Sequence, residues 1–165
     1  MNEKYELLKD PIINLYRIRA LKDFSDIKAG TLGGYVENED NLSHDGNAWI
    51  YGNARVYDDA KIYGNAEVCG YACVYGDTRV YSNASICGNA CLKTNADYTV
   101  IHGFGSEERT TTFFRCKDGN IRVNCGCFYG TIDEFRYKVH GTHGDSKYAK
   151  EYLMIADLMK FHFSE

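Results

Sequence analysis

Between His44 and Asp97 the apolar positions recur every six residues. Ile50, Val56, Ile62, Val68, Val74, Val80, Ile86 and Leu92 mark the frame, and four places after each stands Ala54, Ala60, Ala66, Ala72, Thr78, Ala84, Ala90 or Ala96. The intervening positions hold a Tyr or Cys, usually a Gly and usually an Asn or Asp, as in Tyr63-Gly64-Asn65 and Cys87-Gly88-Asn89. A fixed short period is the sequence signature of a solenoid. With three six-residue sides per triangular coil, residues eighteen apart stack, and the block makes three coils in a prism ~15 Å tall. The branched aliphatic residue of each side fills the axis with a stiff rotamer and no polar atom. Gly, Asn and Asp tolerate the positive φ that the corners need. The frame predicts inner columns Ile50–Val68–Ile86, Val56–Val74–Leu92 and Ile62–Val80, with His44 pointing inward in the first coil. Outside, Tyr57 should lie over Tyr75, Tyr63 over Tyr81, Cys69 over Cys87 and Cys73 over Cys91.

The flanks follow other periods. Tyr16, Ile18 and Ala20 alternate with Arg17 and Arg19, the pattern of a half-buried strand, and Gly30, Gly33 and Gly34 then punctuate a turn-rich passage. Residues 1–43 are expected to cap the exposed strand edges of the solenoid at residues 44–97. After Asp97 the frame ends. Thr110–Cys116 and Ile121–Cys127 flank Asp118-Gly119, a hairpin signal. A two-residue loop sets Arg115 opposite Arg122 and Phe114 opposite Val123. One face then carries Phe113, Arg115, Arg122 and Asn124, and the other is core. Thr131-Ile132-Asp133-Glu134 is a capping box opening a helix to about Val139, and His140–Gly144 reads as a turn. Asp145 or Ser146 caps a second helix with a buried stripe of Tyr148, Tyr152, Ile155, Met159 and Phe163, widened by Ala149 and Ala156. The fold class is mainly β, with residues 98–165 forming a small α+β domain.

Composition narrows the functional classes. The formal net charge of −4 over 165 residues gives no bulk field for nucleic acid or an anionic membrane. No apolar run is long enough to span a bilayer, and Met1–Pro11 has no signal-peptide pattern. The seven Cys are expected to be mostly free thiols in a reducing cytoplasm, with stacked pairs reduced. Cys125, Cys127, His140 and His143 offer four zinc-type ligands at loose spacing, while both Cys also suit a core. Neither a metal nor a cofactor is assigned. The Arg115–Arg122 face with Phe113 and Asn124 suits an anionic ligand or an acidic protein surface. The adjoining ladders of Tyr57, Tyr63, Tyr75 and Tyr81 suit an oligomer interface.

The repeat block resembles the hexapeptide-repeat family. The resemblance implies a left-handed parallel β-helix and, in many members, a trimeric acyltransferase that binds acyl-coenzyme A between subunits. Such enzymes use a His on or beside a coil; here His44 and His102 flank the hexads. Leu32-Gly-Gly-Tyr-Val36, Asn41–Asn47, Cys125–Phe135 and Thr142–Tyr152 resemble hexapeptide-repeat proteins of bacteriophages and prophages. That resemblance implies a phage-borne accessory protein in the host cytoplasm. The leading expectation is therefore non-enzymatic: a homotrimer that binds a host protein, such as a defence factor, or a small anionic ligand. An acyltransferase and a virion component are the alternatives.

Overall fold

The computed structural model describes residues 3–164. Met1, Asn2 and Glu165, at the outer ends of the expected cap and C-terminal domain, lie outside the described residues. A hairpin of β1 (Tyr5–Lys9) and β2 (Tyr16–Ala20) leads into β3 (Leu32–Val36). Eight two-residue strands follow: β4 (Trp49–Ile50), β5 (Arg55–Val56), β6 (Lys61–Ile62), β7 (Glu67–Val68), β8 (Cys73–Val74), β9 (Arg79–Val80), β10 (Ser85–Ile86) and β11 (Cys91–Leu92). They stack in parallel as three walls, β5–β8–β11, β4–β7–β10 and β6–β9, and so form a three-turn β-solenoid. Every inward aliphatic residue from Ile50 to Leu92 is fully buried, as is every Ala or Thr four places on from Ala54 to Ala90.

The corners show why the period is six. Backbone with positive φ recurs at Gly46, Gly52, Asp58, Gly64, Gly70, Gly76, Ser82 and Gly88. An L side chain is costly in this region, so Gly fills six of these eight slots. The Asp58 carboxylate accepts the Gly76 N–H at 3.1 Å, which gives that exception a local return. The side chain of Ser82, at φ 60°, has no hydrogen-bond partner among the described residues.

The solenoid begins earlier than the period implies. β3 pairs in parallel with β5, setting Val36 beside Val56, and Leu42 bridges to Ile62. The inward residues therefore run Val36, Leu42, Ile50, with two extra residues at the corner around His44–Asn47. This insertion moves His44 off the axis, and Leu42 takes the inward place expected for it. Gly33 and Gly34, expected in a turn, are strand residues of β3. The β1–β2 hairpin extends the β3 wall in antiparallel fashion, with Ile18 and Ala20 buried as the alternation requires. Arg19 pairs with Glu6, and Arg17 donates to the Gly33 carbonyl and the Tyr35 hydroxyl.

The far end is closed by a four-stranded antiparallel sheet of β12 (Tyr98–Phe104), β13 (Arg109–Arg115), β14 (Ile121–Cys125) and β15 (Phe128–Thr131). Helices α1 (Ile132–His143) and α2 (Lys147–His162) cover its outer side. The capping box at Thr131 and Glu134 is present, and Ser146 caps α2. Helix α1 runs through the expected turn, and Gly144 ends it. Ala149, Tyr152, Ala156, Met159 and Phe163 are buried, whereas Tyr148 is exposed and Ile155 half-buried.

Both faces of this sheet are buried. Phe114 and Cys116 join the solenoid core, while Phe113 and Val123 join a second core with Ile132, Phe135, Val139 and α2. The last turn of the solenoid leaves strand-edge groups unpaired. Thr112 Oγ1 accepts the Ser85 N–H at 3.1 Å, and the Asn89 carbonyl accepts the Lys117 N–H at 3.0 Å. The sheet thus satisfies the groups that an open solenoid end would expose.

Candidate functional site

The expected Arg-bearing face does not form. The β13–β14 loop is Lys117-Asp118-Gly119, closed by Cys116 N–H to Asn120 carbonyl at 2.9 Å, with Gly119 at φ 78°. This is the three-residue hairpin with a bulge, in place of the two-residue turn that Asp-Gly suggests. One added loop residue shifts the register by one: Phe113 faces Val123, Phe114 faces Arg122, and Arg115 faces Ile121. A shift of one reverses the faces. Phe113 is consequently fully buried under the helices. Arg115 lies on that side, paired with Asp97 at 3.3 Å and donating to the Phe163 carbonyl at 3.1 Å. Arg122 and Asn124 lie on the solenoid side. Arg122 pairs with Asp118 at 2.8 Å, and Asn124 donates to Ser85 Oγ at 2.9 Å. The four residues share no exposed surface.

The Tyr ladders stack as the eighteen-residue spacing requires. Tyr57 and Tyr75 are parallel with centroids 5.2 Å apart, and Tyr63 and Tyr81 likewise at 5.2 Å. The Cys columns behave differently from expectation. Cys69 and Cys87 are joined by a disulfide across adjacent coils, and Cys73 and Cys91 remain free in direct register. The Cα separation of Cys69 and Cys87, 4.6 Å, is the natural strand spacing of a solenoid and falls within disulfide range.

The two flanking histidines are placed very differently. His44 stacks on Tyr5, with centroids 4.2 Å apart, and its Nδ1 accepts the Lys4 backbone N–H at 3.1 Å. A neutral imidazole has one acceptor nitrogen. That of His44 is used, so its Nε2 carries the proton and cannot serve as a general base in this arrangement. His102 is exposed on β12, and among the described residues its ring makes no hydrogen bond, ion pair or ring contact.

His102 stands at one end of a groove of about 580 Å³ between β12 and the β6–β9 wall, lined also by Tyr63, Arg79, Tyr81, Ser82 and Asn95. The sequence builds this groove simply. β12 leaves the last corner after Asn95–Asp97, and Asn95 Oδ1 accepts the Arg79 N–H at 2.7 Å. Tyr98 is buried in the floor, donating its hydroxyl to the Arg79 carbonyl at 2.5 Å. Burial, helped by Tyr81 and Tyr63, pushes its phenol up to about 12. Arg79 lies in register with Lys61 on the adjacent coil. Neither side-chain cation has a carboxylate partner among the described residues. Like charges in register repel, so this ladder suits an anion. Ser82, one of the two non-glycine residues in the glycine slots, lies in the same groove.

The zinc-type ligands are only partly gathered. Cys125, Cys127 and His143 line one cavity; His140 is exposed on α1 and does not line it. Among the described residues no three of His, Cys, Asp and Glu are grouped to hold a metal ion, and no helix is long and apolar enough to cross a membrane.

No family model matches the chain. Over 57 residues, 34% of this chain, it is 40% identical to the uncharacterized acetyltransferase YdcK of Escherichia coli (strain K12). The matched stretch covers 18% of that relative's length. The expectation of a non-enzymatic protein is corrected by this similarity, which is to a protein described as an acetyltransferase.

Proposed function

We propose that the chain transfers an acyl group, acetyl in the simplest case, from a coenzyme A-type thioester to an amine or hydroxyl acceptor in the His102 groove. What carries this reading is the convergence in one groove of an unengaged imidazole, an unpaired guanidinium and a strained, unpartnered Ser82 hydroxyl. The similarity to an acetyltransferase supplies the reaction class. The His102 ring nitrogen takes the proton of the acceptor N–H or O–H as the heteroatom attacks the thioester carbonyl. The Ser82 hydroxyl donates to the oxygen on which charge develops. The C–S bond breaks, and the leaving sulfur takes the proton from His102. Arg79 and Lys61 hold the donor's phosphates, since forked and point cations both suit that group. The groove is open along the solenoid wall. Packing of further copies on the Tyr-bearing walls, as the hexapeptide-repeat resemblance implies, closes it as a trimer.

Calorimetric titration with acetyl-coenzyme A, followed by release of free thiol with a panel of amine and hydroxyl acceptors, tests this. His102→Ala should retain donor binding and lose about 10²-fold or more in turnover. Arg79→Ala should weaken donor binding about tenfold. Absence of both heat and thiol release would refute the proposal, and so would undiminished turnover in His102→Ala.

A further inference from the structure

A second cavity, of about 290 Å³, lies in the C-terminal domain between the sheet ends and α1. Its inner wall is Phe128, Phe135, Val139 and Tyr152. Phe135, Val139 and Tyr152 are almost fully buried, so these walls are fixed by core packing. A sulfur network backs the wall. Cys125 Sγ accepts the Thr111 hydroxyl at 3.1 Å, and the Tyr152 hydroxyl is anchored on the Phe104 carbonyl at 3.0 Å. Both cysteines of the Cys125-Gly126-Cys127 turn line the cavity.

The rim carries two cations, Arg109 and Lys138, beside the His143 ring and the carboxylate of Glu107. The Arg109 guanidinium is held close over Gly126, where a Cβ would collide with it, and Gly126 occupies positive φ at 60°. No carboxylate and no hydrogen bond engages that guanidinium among the described residues. An apolar cleft with a few fixed polar groups at its mouth is the usual form of a small-molecule site. A guanidinium prefers a carboxylate that it can meet with two parallel hydrogen bonds.

We infer that this cavity binds a small apolar carboxylate, with its hydrocarbon body on Phe128, Phe135 and Val139, its carboxylate on Arg109, and the Cys125 thiol beside it. The site is separate from the His102 groove and stands whether or not that groove transfers acyl groups. Guanidinium and thiol come from neighbouring strands: Arg109 opens β13, and Cys125 ends β14.

The test uses the full chain with benzoate as probe and benzamide as its neutral isostere. Calorimetry or chemical-shift titration should find benzoate bound at ~1 mM or tighter, about tenfold better than benzamide. Arg109→Gln should remove that preference while leaving benzamide unchanged. Benzoate should also slow alkylation of Cys125 by iodoacetamide, read by peptide mass spectrometry, and Arg109→Gln should abolish the protection. Equal affinity for the two probes overturns the inference. Failure of both to bind at 10-fold higher concentration, or unchanged Cys125 alkylation in saturating benzoate, does so equally.

Discussion

Lys4 is 1% exposed, yet among the described residues no acidic side chain is bonded to it. Its Nζ donates to the carbonyls of Ala48 at 2.9 Å and Gly46 at 3.5 Å and lies 5.2 Å from the Phe24 ring centroid. Burial, then repulsion from Lys22, lowers its ammonium from 10.5 to about 8, with Asp45 opposing. Between those values the unfolded chain holds more protons than the folded one, so stability rises with pH. The cost is fully present below pH 8 and gone above pH 10.5. A shift of this size costs at most ~3 kcal/mol, of which ~1.3 kcal/mol disappears between about pH 7 and 9. Lys4→Met removes the titration, along with the two hydrogen bonds, whose loss does not depend on pH. Urea unfolding of both proteins at the two pH values therefore isolates the ammonium. The stability of the native protein relative to Lys4→Met should rise by ~1.3 kcal/mol, or ~0.5 M in midpoint. The Cys116 thiol, pushed up by burial to about 11, and the Tyr5 phenol, raised by burial, titrate in both proteins and cancel. A difference that stays flat with pH would refute a desolvated ammonium at this position.

Four further outcomes follow from the packing. Ser82→Gly relieves the positive-φ strain and should raise thermal stability by ~1 kcal/mol while lowering acyl transfer; a destabilised variant would refute the strain. Val68→Ala, at the middle of a fully buried column, should cost ~2 kcal/mol in urea unfolding, against less than ~0.5 for the exposed Arg55→Ala. Reduction of the Cys69–Cys87 disulfide, which closes an 18-residue loop, should lower unfolding free energy by ~3 kcal/mol, and an unchanged midpoint would remove its structural role. Replacing Tyr57, Tyr63, Tyr75 and Tyr81 together by Ser should convert the proposed trimer to monomers in light scattering, and an unchanged mass would refute that interface.

The solenoid was legible because every coil asks the same thing of its axis, and Val, Ile or Leu answers at each sixth position. The first coil was not, because two extra residues at the His44 corner displaced the frame and concealed Val36 and Leu42. The hairpin failed for a similar reason. Asp118-Gly119 serves a two-residue and a three-residue loop equally, and the single residue between them decides which face each side chain takes. Burial of both faces then made the alternation of apolar and polar residues uninformative, since Arg115 and Arg122 are paired on opposite sides with Asp97 and Asp118. One signal was available and was missed: Ser82 stands where the six-residue frame wants a glycine.

That signal bears on where a site can exist on such a scaffold. A solenoid wall built from two-residue strands is flat, and a flat wall holds a ligand poorly because it encloses little of its surface. Concavity has to come from a non-repeating element. Here β12 supplies it by crossing beside the last coil, pinned through Tyr98 to the Arg79 carbonyl and through Asn95 to the Arg79 N–H. The repeat contributes a stacked Tyr pair and the Arg79 cation. The imidazole comes from β12, the one strand in the groove free of the repeat's demand for an inward aliphatic residue. The strained Ser82 corner lies where wall and strand meet, so a departure from the glycine rule whose side chain has no hydrogen bond among the described residues falls inside the groove that β12 makes against this wall.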